Sequence, residues 1–403
     1  MLTNEHACAV LRRFEIEPSA LDRLMDNYFR EHRELSGKNR RIIADLSFGV
    51  MRWLRRIDNF LQRTGNLTPA WSDRVELYAQ WLAENAGLPL DDTAKAKLPP
   101  EILHSYPDFL YAKLVRTYGE AGASEIASAL NRPSTVTVRV NTAKIGREEV
   151  LAAFDRSGVK AEITKHSPYG VRVQTRFALS DFEFYKKGFL EIQDEASQLS
   201  CLLAAVPGPA KILDACAGAG GKSLMLATIC GSGTRITAAD TDKRKLSVLN
   251  KRARRAGISN IECVSTGALL NNEFGVGTFD VVLIDAPCSG TGTIRRNPDL
   301  KWRVSSESIE EASDTQLEIL KRYATFLAPS GKLVYITCSL LAEENEDVVG
   351  RFLEDSCLCI EKIPKDYSDL LAPAVAFFGE NGFFFTHPAR ESWDGFKACI
   401  LKS

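Results

Sequence analysis

Two cysteines stand where cysteines can do chemistry. Cys288 lies in "DAPCSGTG" (285–292) and Cys338 in "TCS" (337–339), each directly after an apolar, strand-like run. A thiolate so placed is a nucleophile able to form a covalent intermediate. A single strand-end cysteine is more often a small buried hydrophobe. Two of them, one behind Asp285-Ala286-Pro287 and the other between Thr337 and Ser339, point to a shared task. A third stretch, "DACAGAGGKS" (214–223), ends a glycine-rich turn in Gly221-Lys222-Ser223. It fails the P-loop spacing, because the glycine required five residues before Gly221 is Cys216. It also fails the dinucleotide fingerprint, because the third glycine required after Gly218-Ala219-Gly220 is Ser223.

The elements that must hold these residues form a βαβ series from about residue 196. Strand candidates are 210–215, 235–240, 261–265, 279–286 and 332–339, with amphipathic helices between them such as "KRKLSVLNKRARRAG". Near-continuous apolar strands alternating with helices indicate a doubly wound, mostly parallel, Rossmann-like α/β sheet. Ligands of such sheets sit at the carboxyl ends of the strands, where the glycine-rich loop and both cysteines fall. Asp240 closes the second strand and can accept hydrogen bonds from both hydroxyls of a ribose. A ribose-bearing ligand without a triphosphate, S-adenosylmethionine, suits the loop. A strand-to-helix turn made of small residues for packing alone is the competing reading.

Upstream, the texture changes twice. Residues 1–98 read as helical: Leu21, Leu24, Met25 and Phe29 follow a Ser19…Asp22 capping box at helical spacing, and a long periodic stretch begins at Arg40. The aperiodic "GLPLDDTAKAKLPP" (87–100) reads as a linker. Residues 99–195 alternate helical stretches with short strands at 135–140, 161–164, 170–175 and 189–193, a small α+β domain. Residues 196–403 hold the catalytic candidates.

The bulk properties exclude more than they assert. The 403 residues carry a net charge of −1, so any nucleic-acid contact must be local. Ten cysteines without CxxC pairs and five unclustered histidines argue against a metal site and for a reduced, cytoplasmic setting. No apolar run reaches membrane-span length, and no signal-peptide core is visible.

Together, "SGKNRRIIADLSFGVMRW", "RVNT", "GFLEIQDEASQ", "CAGAGGK", "DAPCSGTGTIRRNPDLKWR", "TCSLLAEENE" and "WDGFKACILK" resemble the RsmB/Sun (NSUN-type) RNA cytosine-5 methyltransferases over nearly the whole chain. The resemblance implies a NusB-like RNA-binding N-terminal domain, an RRM-like α+β domain and a catalytic domain that uses S-adenosyl-L-methionine. It assigns cofactor contacts to Cys216, Ala217, Gly218, Ala219, Gly220, Gly221, Lys222, Asp240, Thr266 and Asp285. Two positions depart from the family pattern. Ala219 replaces a usual proline, and Thr266 replaces an acidic residue at the adenine end, for which weaker cofactor binding is expected.

The resemblance further implies that Cys338 attacks C6 of the cytosine and that Cys288 assists release of the product. Asp285 is expected at the N3 and N4 edge of the base, although an aspartate at a strand end is also a common turn cap. Lys222 is expected either to meet the cofactor or to support Cys338, the bland alternative being an exposed lysine at a helix start. The base must leave its stack, so single-stranded or flipped RNA is the implied substrate. Arg295, Arg296, Trp302 and Arg303, directly after the Cys288 motif, are the RNA-contact candidates. Ribosomal RNA is favoured over tRNA, and a monomer is implied. A catalytically weak RNA-binding assembly factor, suggested only by Thr266, and a nucleotide hydrolase are the competing classes.

Overall fold

The computed structural model describes residues 2–83, 98–175, 177–273, 275–362 and 368–403. The linker expected at 87–100 lies outside them except for its last three residues. Two compact units result: Met1–Pro133 with Thr293–Ser308, and Ser134–Gly292 with Ile309–Ser403.

The first unit is helical, with α1 (Leu2–Ile16), α2 (Leu21–Glu31), α3 (Gly37–Arg63), α4 (Trp71–Ala83) and α5 (Asp108–Leu130). In α3, Ile43, Leu46, Val50 and Ile57 recur every three, four or seven residues and are buried on one face. Ser36 caps this helix, its side chain accepting from the Asn39 N–H at 3.2 Å. The capping box expected before α2 does not form: Ala20 is the N-cap and has no side-chain bond to offer. The Leu21 N–H is instead satisfied by Asp299 at 3.2 Å. A partner 278 residues away leaves no local signal.

The second unit contains two sheets. The smaller is antiparallel, in the order β2-β3-β1-β4, built from β1 (Val136–Val140), β2 (Ala161–Ile163), β3 (Gly170–Val173) and β4 (Leu190–Ile192). The larger runs β10-β12-β9-β8-β5-β6-β7. Its parallel strands are β5 (Lys211–Asp214), β6 (Arg235–Asp240), β7 (Ile261–Ser265), β8 (Phe279–Asp285) and β9 (Leu327–Thr337). The rest, β10 (Cys359–Ile360), β11 (Phe383–Phe385) and β12 (Lys397–Lys402), pair antiparallel. From β5 the chain winds outward through β6 to β7, then returns to place β8 on the other flank of β5. This reversal makes the end of β5 a topological switch point, where open α/β sheets bind ligands. Helix α6 (Gly221–Ile229) leaves the loop at that point, and α7 (Lys243–Ala256) follows β6.

Candidate active site

Asp214 ends β5 and is 1% exposed. Its Oδ2 accepts from the Ser223 hydroxyl at 2.5 Å, while Oδ1 has no hydrogen-bond partner. Burial pushes this carboxyl up to about 7 against the pull of Ser223, and the nearby Asp285 charge reinforces the rise. The glycine loop that follows is held by its own backbone and by the next strand. Gly220 donates to the Ala217 carbonyl at 2.8 Å, and Ala217 donates to Ala239 of β6 at 2.9 Å. Gly220 has φ +86°, and any Cβ there would overlap Leu249 of α7, so only glycine fits.

Asp240 reads the loop directly. Its Oδ2 accepts from the Gly218 N–H and its Oδ1 from the Asp242 N–H, both at 2.8 Å. A carboxylate has about four acceptor sites, so two backbone bonds leave capacity for a ligand's hydroxyls. At Gly218 and Gly221 a Cβ would meet nothing within 4 Å, so the loop backbone borders open space there. Two arginines outside the motif steady the loop: Arg252 donates to the Ala219 carbonyl at 2.6 Å, and Arg139 of β1 to the Gly221 carbonyl at 2.7 Å. Arg252 is itself held by Glu191 of β4 at 2.8 Å. Neither arginine was singled out from sequence, since each acts from a separate element.

The adjacent ends of β8 and β9 supply the reactive groups. Asp285 pairs in register with Ile336, and the turns beyond bring the Cys288 and Cys338 sulfurs to 3.3 Å from each other as free thiols. The Cys288 thiol is pushed well up by its hydrogen bond with Cys338 and by burial. Lys222 is not the exposed lysine of the bland reading. It is 6% exposed, with Nζ 2.7 Å from Asp285 Oδ2 and 5.2 Å from the Phe396 ring centroid. Burial works against its charge, but Asp285 outweighs burial and holds the ammonium above its ordinary pKa. Gly292 is pressed between the Cys338 carbonyl, to which it donates at 2.8 Å, and Gly395, so closely that a Cβ would collide.

The remaining candidates separate. The Cys216 thiol is pushed up by burial and by the Asp214, Asp285 and Asp240 charges, which disfavour a thiolate. Thr266 is buried, with its hydroxyl 3.5 Å from that of Tyr323. The four RNA-contact candidates are not equally presented. Arg295 is 3% exposed, and Trp302 is half-buried against the helical core, its indole N–H donating to the Met51 carbonyl at 2.6 Å. Arg303 is paired with Asp299 at 2.8 Å, which leaves Arg296 as the exposed member of the group. Three arginines of α3 are engaged in the same way. Arg52 and Arg56 are buried, and Arg55 pairs with Asp108 at 2.6 Å. Sequence reading also passed over Glu344, a buried acid that accepts bonds from both cysteine turns.

Comparison with known proteins adds a second line. The 16S rRNA methyltransferase RsmB/F family matches residues 201–402, and an RsmF/B-like ferredoxin-like domain matches residues 106–180. The ribosomal RNA small subunit methyltransferase B of Proteus mirabilis is 30% identical over 280 residues, which is 70% of this chain and 64% of that protein. The chain spans less than two thirds of the length of this and similar curated relatives. Among solved structures, PH0851 is similar with a TM-score of 0.78 and 23% identity, over 100% of this chain and 98% of that one. NSun6 from Pyrococcus horikoshii, solved with SFG, is similar with a TM-score of 0.64 and 20% identity, over 74% and 99% respectively. At these identities the two structures speak for the fold.

Proposed function

The chain belongs to the 16S rRNA methyltransferase RsmB/F family, and from that premise we propose that it transfers a methyl group from S-adenosylmethionine to C5 of a cytosine in small-subunit ribosomal RNA. The observation that carries the proposal is the 3.3 Å pairing of Cys288 and Cys338 beside the Lys222–Asp285 ion pair, on the rim where the glycine loop opens. The loop fits the cofactor. Its backbone borders open space at Gly218 and Gly221, and Asp240 retains acceptor capacity for ribose hydroxyls. Bound there, S-adenosylmethionine would supply an electrophilic methyl group.

Carbon 5 of cytosine is a poor nucleophile, and the chain's own residues must activate it. The Cys338 thiolate adds to C6 and pushes electron density onto C5. Asp285, oriented by Lys222, hydrogen-bonds the N3 and N4 edge and favours protonation of the ring as the sulfur adds. Once C5 is methylated, its proton must leave and the C6–S bond must break. Cys288, whose sulfur lies within hydrogen-bond reach of Cys338, assists that departure. The buried Cys288 thiol, with its raised pKa, suits a proton-handling role better than attack.

Support for ribosomal RNA comes from the family and from the relatives' small-subunit activity. The test is transfer of labelled methyl from S-adenosylmethionine to unmodified small-subunit ribosomal RNA, with tRNA alongside. Label on C5 of a ribosomal cytosine is expected. Label on tRNA alone would correct the substrate, and label on neither would remove the assignment.

A further inference from the structure

Glu344 is fully buried, yet its carboxylate touches neither the glycine loop nor Asp285 in any bond the structure shows. Its four bonds go elsewhere. Oε1 accepts from the Ser289 N–H at 2.7 Å and from Gln316 Nε2 at 3.2 Å. Oε2 accepts from the Ser289 and Ser339 hydroxyls, each at 2.5 Å. Ser289 directly follows Cys288, and Ser339 directly follows Cys338. One carboxylate therefore grips the residue after each thiol, across a sequence separation of 50 residues.

The grip is braced from behind. The Tyr335 hydroxyl donates to the Glu344 carbonyl at 2.8 Å, and Gln316 also donates to the Pro287 carbonyl at 2.9 Å. Asn345, next in the chain, takes the Thr337 hydroxyl at 2.7 Å and returns a bond to the Ser339 carbonyl at 3.1 Å. Burying a carboxylate is costly unless its acceptor sites are filled, and here four donors fill them. Bonds to an ionised acceptor are about twice as strong as neutral ones, so a charge at this point fixes the two turns more firmly than a neutral group would.

We propose that Glu344 is the positioning residue of the thiol pair: it locks the turns after β8 and β9 in register and so sets the distance between Cys288 and Cys338. This rests on the methyltransferase reading above, in which the two sulfurs act in succession on one base. A nucleophile and a release group must be held within a fraction of an ångström of their working geometry. The glycine loop is pinned by other residues, so loss of Glu344 should harm the thiol chemistry and spare cofactor binding.

The test compares wild type with Glu344→Ala and the near-isosteric Glu344→Gln. With S-adenosylmethionine and ribosomal RNA, Glu344→Ala is expected to lower kcat about 50-fold and leave the cofactor KM within about twofold, with Glu344→Gln partly restoring kcat. Ser339→Ala added to Glu344→Ala should cause little further loss, since both cut the same link. A second readout needs no RNA. Phenylarsine oxide condenses with two thiols to form two As–S bonds and release one water, so it reports their spacing. In a Cys357→Ser/Cys359→Ser background, which removes the exposed pair of thiols, its affinity should fall about tenfold in Glu344→Ala through lost preorganisation, and its chelation should vanish in Cys338→Ala. Unchanged kcat and unchanged arsenical affinity in Glu344→Ala would overturn the proposal. So would a parallel loss of kcat, cofactor affinity and thermal stability, which marks a general structural role. Wild type that chelates the arsenical, loses that affinity in Glu344→Ala and yet methylates no RNA would sink the methyltransferase reading while leaving the clamp standing.

Discussion

Lys222 and Lys301 are both stripped of water, at 6% and 0% exposure, and they have opposite characters. Lys301, in the helical unit, gives its three protons to neutral oxygens: the Arg52 and Ser105 carbonyls at 2.7 Å and Asn131 Oδ1 at 3.1 Å. Burial and the neighbouring Arg52 charge push its pKa well below the ordinary value. Lys222, in the sheet unit, faces Asp285, and its pKa is held above the ordinary value. One lysine is a peg that satisfies backbone groups from separate segments. The other is half of a charge pair whose acid is 36% exposed and open to a substrate. Burial alone does not distinguish the two lysines; a half-exposed opposite charge beside Lys222 does.

Exchanging each lysine for methionine sharpens the contrast. Lys222→Met should lower kcat about 10²-fold through loss of a preorganised charge, with little change in stability, because Asp285 can be solvated. Lys301→Met should do the reverse. It strands three buried oxygens and is expected to cost about 2 kcal/mol in chemical denaturation, while cofactor affinity stays the same. Similar effects from the two exchanges would erase the distinction.

Asp214 provides a finer check through pH. Burial pushes its carboxyl from an ordinary 3.8 up to about 7 in the folded chain, so between those values the native state holds a proton that the unfolded state has released. That contribution to stability is complete below about pH 4 and is lost as pH rises through 7. Asp214→Asn should therefore flatten the stability profile between about pH 4 and 7. An unchanged slope would place the titration elsewhere.

The sheet that positions the site was legible because its central strands, β8 above all, are largely buried and read as near-continuous apolar runs, while the edge strand β7 is half-exposed. The four short strands of the smaller sheet were equally visible. The antiparallel strands β10, β11 and β12 were not among the strands read from the sequence. At the site, the cysteines and Asp285 announced themselves through motif and position. Glu344 did not, because its role depends on two serines brought together only by strand pairing. The stretch 295–303 was only partly legible for a related reason. Its charges suggested a solvated surface, but Arg295 and Lys301 are buried, and no local pattern reveals that distant carbonyls take the place of water around Lys301.

The central claim is that two thiols act in turn on one cytosine, and the most direct measurement is the covalent complex itself. Wild type, Cys338→Ala and Cys288→Ala are each incubated with S-adenosylmethionine and ribosomal RNA and then resolved under denaturing conditions. Cys288→Ala is expected to accumulate a protein–RNA complex that survives denaturation, and Cys338→Ala is expected to form none and transfer no methyl group. A stable complex from Cys338→Ala, or full turnover by that variant, would contradict the account.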